Sequence, residues 1–329
     1  MNKKELFLKT LKGSTNKENI VWMMRQAGRF LKNYRKMREK HSFLDMCTTP
    51  SLAAKATIMP YDEVGVDVMI LFSDILIPLK SLGAKIYYEE NKQPVVDIDM
   101  ENIIYNKDNL EEIGFVSETV KLIKSENDEA GLIGFAAAPF TLSCYMLGGG
   151  KDFYKVRSFI YKYPQKFMNI MQILTNLTVD YLNMQISSGC DAVQLFDSWA
   201  GIVPVDIYQK FIYPFNQKVA DSLNAPSIYY IKNSAHLNNQ IINLNFDCLS
   251  LDWRQDMYKM SSLSSKCIQG NIDNTLLLAD KKILKEKIVE IDSIMKNRAH
   301  IFNLGHGILP QTSEDMAKFF VDTVHNAKT

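Results

Sequence analysis

Eight short apolar runs punctuate this 329-residue chain, and a longer stretch with helical spacing separates most of them. The runs are Ile20–Met24, Asp67–Phe72, Gly131–Ala136, Asp191–Phe196, Ser227–Ile231, Cys248–Leu251, Cys267–Gly270 and His300–Leu304. A strand with one wet face alternates apolar and polar residues, whereas a strand covered on both faces does not. Val68-Met69-Ile70-Leu71-Phe72 has no alternation and reads as a strand buried between helices. Eight strand–helix units predict an α/β fold, a single (β/α)8 or TIM barrel that takes residues 1–329 as one domain. An open doubly wound sheet would carry the same periodicity.

The clearest helix follows Pro164. Phe167, Ile170, Met171, Leu174 and Leu177 share one face, and Gly189 closes it; proline in the first turn and glycine past the last are natural stops. A final helix is expected over Glu314 to His325, with Ser313 as its cap and Met316, Phe319 and Phe320 inward. One segment breaks the plan. Ile86-Tyr87-Tyr88, a polar turn from Asn91 to Pro94, and Val95-Val96 read as a hairpin insertion after the second strand.

Composition narrows the function classes. With 38 basic against 37 acidic residues the net charge is +1, so no global field draws the chain to nucleic acid or to a membrane. No apolar run reaches 18 residues, and the start of the chain lacks the long apolar core of a signal peptide. Cys47, Cys144, Cys190, Cys248 and Cys267 are scattered without metal-like spacing, which fits reduced thiols and a cytoplasmic location.

Chemistry in such a barrel gathers where strands end. The first run leads into Arg25-Gln26-Ala27-Gly28-Arg29. The chain holds seven arginines against 31 lysines, yet Arg25, Arg29, Arg35 and Arg38 fall within fourteen residues. Arginine in a lysine-rich chain marks places where a planar fork must grip a carboxylate. Arg25 and Arg29 directly follow a buried strand and are read as functional, Arg35 and Arg38 as a solvated helix start. Two residues past the second run stands Asp74, a lone acid between apolar runs. A buried carboxylate needs a partner or a task, so it is either catalytic or bonded to nearby amides. Tyr145, in an apolar stretch, is a cavity phenol or a core residue. Ser198 follows the fourth run beside Asp197, where the pair could bond a ligand or cap the next helix. His306 lies between Gly305 and Gly307, a turn that admits a ligand or merely packs closely. Gly148-Gly149-Gly150 lacks the Lys-Ser/Thr ending of a phosphate-binding loop.

In order along the chain stand WMMRQAGR at Trp22–Arg29, FSDIL at Phe72–Leu76, GFAAAPFTLSCY at Gly134–Tyr145, FDSWAG at Phe196–Gly201, LDW at Leu251–Trp253, QGNID at Gln269–Asp273 and FNLGHGILP at Phe302–Pro310. Together they resemble the uroporphyrinogen decarboxylase family from about residue 5 to the C-terminus. The resemblance implies a homodimeric TIM barrel that removes CO2 from the four acetates of uroporphyrinogen, with no metal and no organic cofactor. It implies Asp74, Arg25 and Tyr145 as catalytic residues, and Arg25, Arg29, Asp74, Tyr145, Ser198 and His306 as substrate-binding ones. The sequence departs from that pattern at Ile20, Asn274 and Ser313, where proline is frequent, and in a short loop at Leu147–Lys151. Two rival readings are a zinc-dependent thiol methyltransferase of the same superfamily and a non-catalytic tetrapyrrole-binding protein. The first needs clustered Cys/His ligands, and His306 is followed by no cysteine.

Overall fold

A computed structural model describes residues 2–88, 93–148 and 153–327. Its ten strands are β1 (Ile20–Val21), β2 (Val68–Ile70), β3 (Lys85–Tyr87), β4 (Val95–Asp97), β5 (Gly131–Ala137), β6 (Ala192–Asp197), β7 (Ser227–Ile231), β8 (Cys248–Leu251), β9 (Cys267–Gln269) and β10 (His300–Phe302). Eight of them form one parallel sheet in the order β1-β10-β9-β8-β7-β6-β5-β2. Helices cover the outside, and the sheet curls into a nearly closed (β/α)8 barrel. The doubly wound alternative is thereby set aside. Every residue of β5 through β10 is buried, as expected for strands covered on both faces.

The barrel closes between β1 and β2 largely through side chains. The Asp67 backbone N–H donates to Val21 O at 2.9 Å, and the Val21 N–H donates to the Asp67 carboxylate at 2.8 Å. Gln26 continues the seam: its amide oxygen accepts from Met23 N at 3.0 Å, and its amide nitrogen donates to Val68 O at 3.0 Å. This is why the first strand is shorter than the apolar run Ile20–Met24 suggests. Beyond Trp22 the backbone is held by Gln26 and Asn303 rather than by a neighbouring strand. Asp67 is also clamped by Lys3 at 3.1 Å and His325 at 2.9 Å, which ties both ends of the described chain to the seam.

The helix after Pro164 spans Pro164–Ser188 and stops at Gly189, whose φ is +125°. The last helix spans Glu314–Ala327, and Ser313 Oγ accepts from Met316 N at 3.1 Å. Its inward face carries Phe320 as expected, buried with Ala317, Val321 and Val324, and Met316 and Phe319 are half-buried against the core. Between β2 and β5, β3 and β4 pair antiparallel with Lys85 opposite Asp97. The start of the expected turn, Asn91 and Lys92, lies outside the described residues, as do Gly149 to Lys151 of the glycine loop. All five cysteines are free and buried.

Candidate active site

A cavity of about 440 Å³ opens at the C-terminal mouth of the barrel, and Arg25, Arg29, Asp74, Tyr145, Ser198 and His306 all line it. The structure brings together, on four strand ends and one following helix, residues up to 281 positions apart in sequence. Phe72, Phe135 and Phe196 supply apolar wall, with Phe135 and Phe196 packed edge to face at 5.6 Å.

Arg25 enters the site from a left-handed backbone conformation, φ +63°. That geometry costs a non-glycine residue on the order of 1–2 kcal/mol, so the surroundings must impose it. They do. Met24 N donates to Asn303 Oδ1 at 2.9 Å, Ile308 N donates to Met24 O at 2.9 Å, and Gln26 N donates to Met23 O at 2.9 Å. Gly28 completes the turn, because a Cβ there would lie 2.9 Å from Arg25 O. Neither the Arg25 nor the Arg29 guanidinium is hydrogen-bonded or ion-paired among the described residues. The other two arginines of the cluster are spent on structure. Arg35 donates to Arg29 O and Phe30 O, and Arg38 donates to His41 O.

Asp74 faces the cavity at the end of the β2 segment. Its residue surface is half-buried, and its carboxyl is deeply set in the cavity wall. Burial pushes its pKa up, while the Leu76 N–H, donating at 2.8 Å, together with Tyr88 and the Arg25 charge, pulls it back. Among the described residues one backbone amide, that of Leu76, donates to the Asp74 side chain, so the carboxylate has one such bond and also faces the cavity. Tyr88, directly after β3, brings a buried hydroxyl close to Asp74. Burial and the Asp74 charge raise the Tyr88 pKa, so this hydroxyl keeps its proton.

Tyr145 stands near the end of the helix Pro139–Met146 and stacks on Trp199 at 4.3 Å. Burial, then the Asp74 charge, pushes its phenol up to about 12, with Arg25 opposing. Ser198 lines the cavity, but its neighbour Asp197 does not. Fully buried Asp197 accepts from Thr141 Oγ1 at 2.9 Å, Asn216 Nδ2 at 3.0 Å and Tyr229 Oη at 2.9 Å. It fastens β6 to the helix that carries Tyr145. His306 Nδ1 lies 3.1 Å from Tyr230 Oη, which is also 3.1 Å from Gly305 O. Burial and the charges of Arg25, Lys232 and Arg254 push the imidazole down to about 3. His306 is therefore a neutral hydrogen-bonding group near pH 7.

Among the described residues no cluster of three or more His, Cys, Asp or Glu side chains could hold a metal ion, and no helix is long and apolar enough to cross a membrane. Two further residues at the site, Tyr88 and Tyr230, have no distinguishing sequence signal. Tyr88 follows β3, away from the strand ends of the barrel, and Tyr230 is one of two adjacent tyrosines in a buried strand. Nothing in the local sequence distinguishes either.

Fold and cavity define a (β/α)8-barrel enzyme with its polar groups gathered at the strand ends. Residues 2–327 match the family described as uroporphyrinogen decarboxylase (URO-D). The uroporphyrinogen decarboxylase of Thermodesulfovibrio yellowstonii is 42% identical over 334 residues, covering 99% of this chain and 98% of that protein. The protein of the same name from Aquifex aeolicus is 34% identical over 332 residues, covering 98% of each. A methyltransferase from Methanosarcina mazei shares the fold, with a TM-score of 0.85 over 99% of both chains at 20% identity. The chain belongs to the uroporphyrinogen decarboxylase family.

Proposed function

We propose that this protein removes CO2 from the four acetate side chains of uroporphyrinogen III to give coproporphyrinogen III, in the biosynthesis of haem and related tetrapyrroles. The observation that carries this reading is that, among the described residues, one deep carboxylate, Asp74, lines an aromatic-walled cavity whose free cations are Arg25 and Arg29. An anionic ligand with an electron-rich, N–H-bearing centre fits that arrangement. A ligand with a negative core does not.

The chemistry needs an electron sink, and a pyrrole provides one. A ring carbon takes a proton and the ring becomes a cation conjugated with the acetate methylene. The bond to CO2 breaks, and its electron pair neutralises the ring. The exocyclic methylene then takes a proton to become methyl, and the ring carbon returns its own. One proton is consumed for each CO2 released. Asp74 accepts hydrogen bonds from pyrrole N–H groups and stabilises the transient cation, with the sign opposite to an oxyanion hole. Each charge-assisted bond is worth about 1.5–3 kcal/mol net. Arg25 and Arg29 hold side-chain carboxylates, while Ser198 and His306 donate to others. Tyr145, close to both Asp74 and Arg25, orients the reacting acetate.

The same reading takes the chain as one catalytic domain, cytoplasmic and homodimeric. No metal and no organic cofactor is required. Anaerobic incubation with uroporphyrinogen, then separation of the products by carboxyl number, should yield the tetracarboxylate. Unchanged octacarboxylate would overturn the reading. Treatment with a strong chelator should leave the rate intact; stoichiometric zinc whose removal abolishes turnover would favour the methyltransferase alternative.

A further inference from the structure

Two cations at the barrel mouth lie outside the set described so far. Lys232 directly follows β7, and Arg254 lies three residues past the end of β8. Fully buried Asp252 joins these strand ends. Its Oδ2 accepts from Asn233 N at 2.7 Å and from Arg254 Nη1 at 3.2 Å, and its Oδ1 accepts from Arg254 N at 3.1 Å. The Arg254 guanidinium also lies 3.8 Å over the Trp253 ring, which fixes a planar cation in place. Lys232 is half-buried and makes no hydrogen bond or ion pair among the described residues.

The charges do not balance. One carboxylate, Asp252, faces Lys232 and Arg254, and Arg25 adds a third positive charge from the cavity side. Burial, Arg254 and Arg25 all disfavour the protonated form of Lys232, with Asp252 alone opposing. The same three cations bear on His306, which lines the cavity. The cluster therefore joins the cleft through His306 and has unspent positive charge. Leaving a half-buried ammonium without a counter-ion is unfavourable unless a ligand supplies one.

We propose that Lys232 and Arg254 form a second carboxylate-binding position at the rim of the cleft, which holds a side-chain carboxylate of the tetrapyrrole on the His306 side. This rests on the decarboxylase reading for the identity of the ligand but not for the existence of the site. Uroporphyrinogen carries eight carboxylates, and while one acetate reacts beside Asp74 the others need partners. Arg25 and Arg29 reach only part of the macrocycle. Lys232 and Arg254 set its rotation by gripping another edge.

The test uses uroporphyrin, the oxidised octacarboxylate, which does not react and reports its own binding by fluorescence. Lys232→Met, Arg254→Met and Lys232→Arg are compared with wild type after their melting curves are matched. Each Met variant should weaken binding about tenfold at low salt. The difference should shrink as salt rises, and Lys232→Arg should restore most of the affinity. In turnover, the loss should fall on KM more than on kcat. Unchanged affinity in folded Met variants would overturn the proposal, as would a loss insensitive to salt or one confined to kcat. A wild type that binds uroporphyrin in this way but does not turn over uroporphyrinogen would sink the decarboxylase reading and leave the anion site standing.

Discussion

Gly307 packs against the side chain of Arg25: a Cβ added at Gly307 would lie 2.9 Å from Arg25 Cγ and 3.1 Å from Nε. Residues 282 positions apart thus share one van der Waals surface, and the missing side chain of one makes room for the guanidinium of the other. Gly307→Ala should push Arg25 out of register. A displacement of about 1 Å in a positioned site can cost roughly 100-fold, so kcat/KM should fall by 10–100-fold with little change in melting temperature. Steady-state rates paired with thermal melts check this, and wild-type kcat/KM in the folded variant would show that Arg25 need not sit where it does.

His306 offers a pH test with a definite sign. Its folded-state pKa is held near 3 by burial and by Arg25, Lys232 and Arg254, below the ordinary imidazole value of 6.5. Between these values the unfolded chain binds more protons than the folded one. His306 therefore contributes no loss of stability at neutral pH, and destabilises increasingly as pH falls from 6.5 toward 3. Ring-proton NMR should show a neutral His306 at pH 5 in the free protein. Bound uroporphyrin should raise the pKa, because its carboxylates offset the three cations. An imidazole that titrates near 6.5 with or without ligand would contradict this.

Asp74 places function and stability in opposition. Its folded-state pKa is raised by burial, so ionised Asp74 costs stability at neutral pH, and the cost disappears as pH falls below the ordinary carboxylate range. Asp74→Asn should melt at or above the wild-type temperature at pH 7–8, and the gap should close in acid. A variant that melts well below wild type at pH 7–8 would mean that Asp74 is a structural acid.

The periodicity of the chain carried the eight barrel strands because strands buried on both faces lose alternation, and seven of the eight coincide to within two residues at each end. β1 is the exception. Its ladder is replaced by the Gln26 and Asn303 side chains, and no local pattern encodes a bond to a residue 279 positions away. The arginine cluster divides by position in the structure: Arg25 and Arg29 line the cavity, whereas Arg35 and Arg38 bond backbone carbonyls. Lys232 was hidden for a different reason. One lysine among 31 carries no signal, and its meaning arises only when Asp252 brings it beside Arg254.

The role of Asp74 is decided by the turnover number of the Asn variant. Asn keeps the shape and removes the charge that the proposed ring cation requires. Losing about 3–4 kcal/mol of transition-state stabilisation slows a reaction roughly 10²–10³-fold. Anaerobic kcat for Asp74→Asn on uroporphyrinogen should therefore fall by at least 100-fold in protein whose circular dichroism and melting match or exceed wild type. A kcat within a few-fold of wild type in that folded protein would contradict the assignment of Asp74 as the group that stabilises the cation.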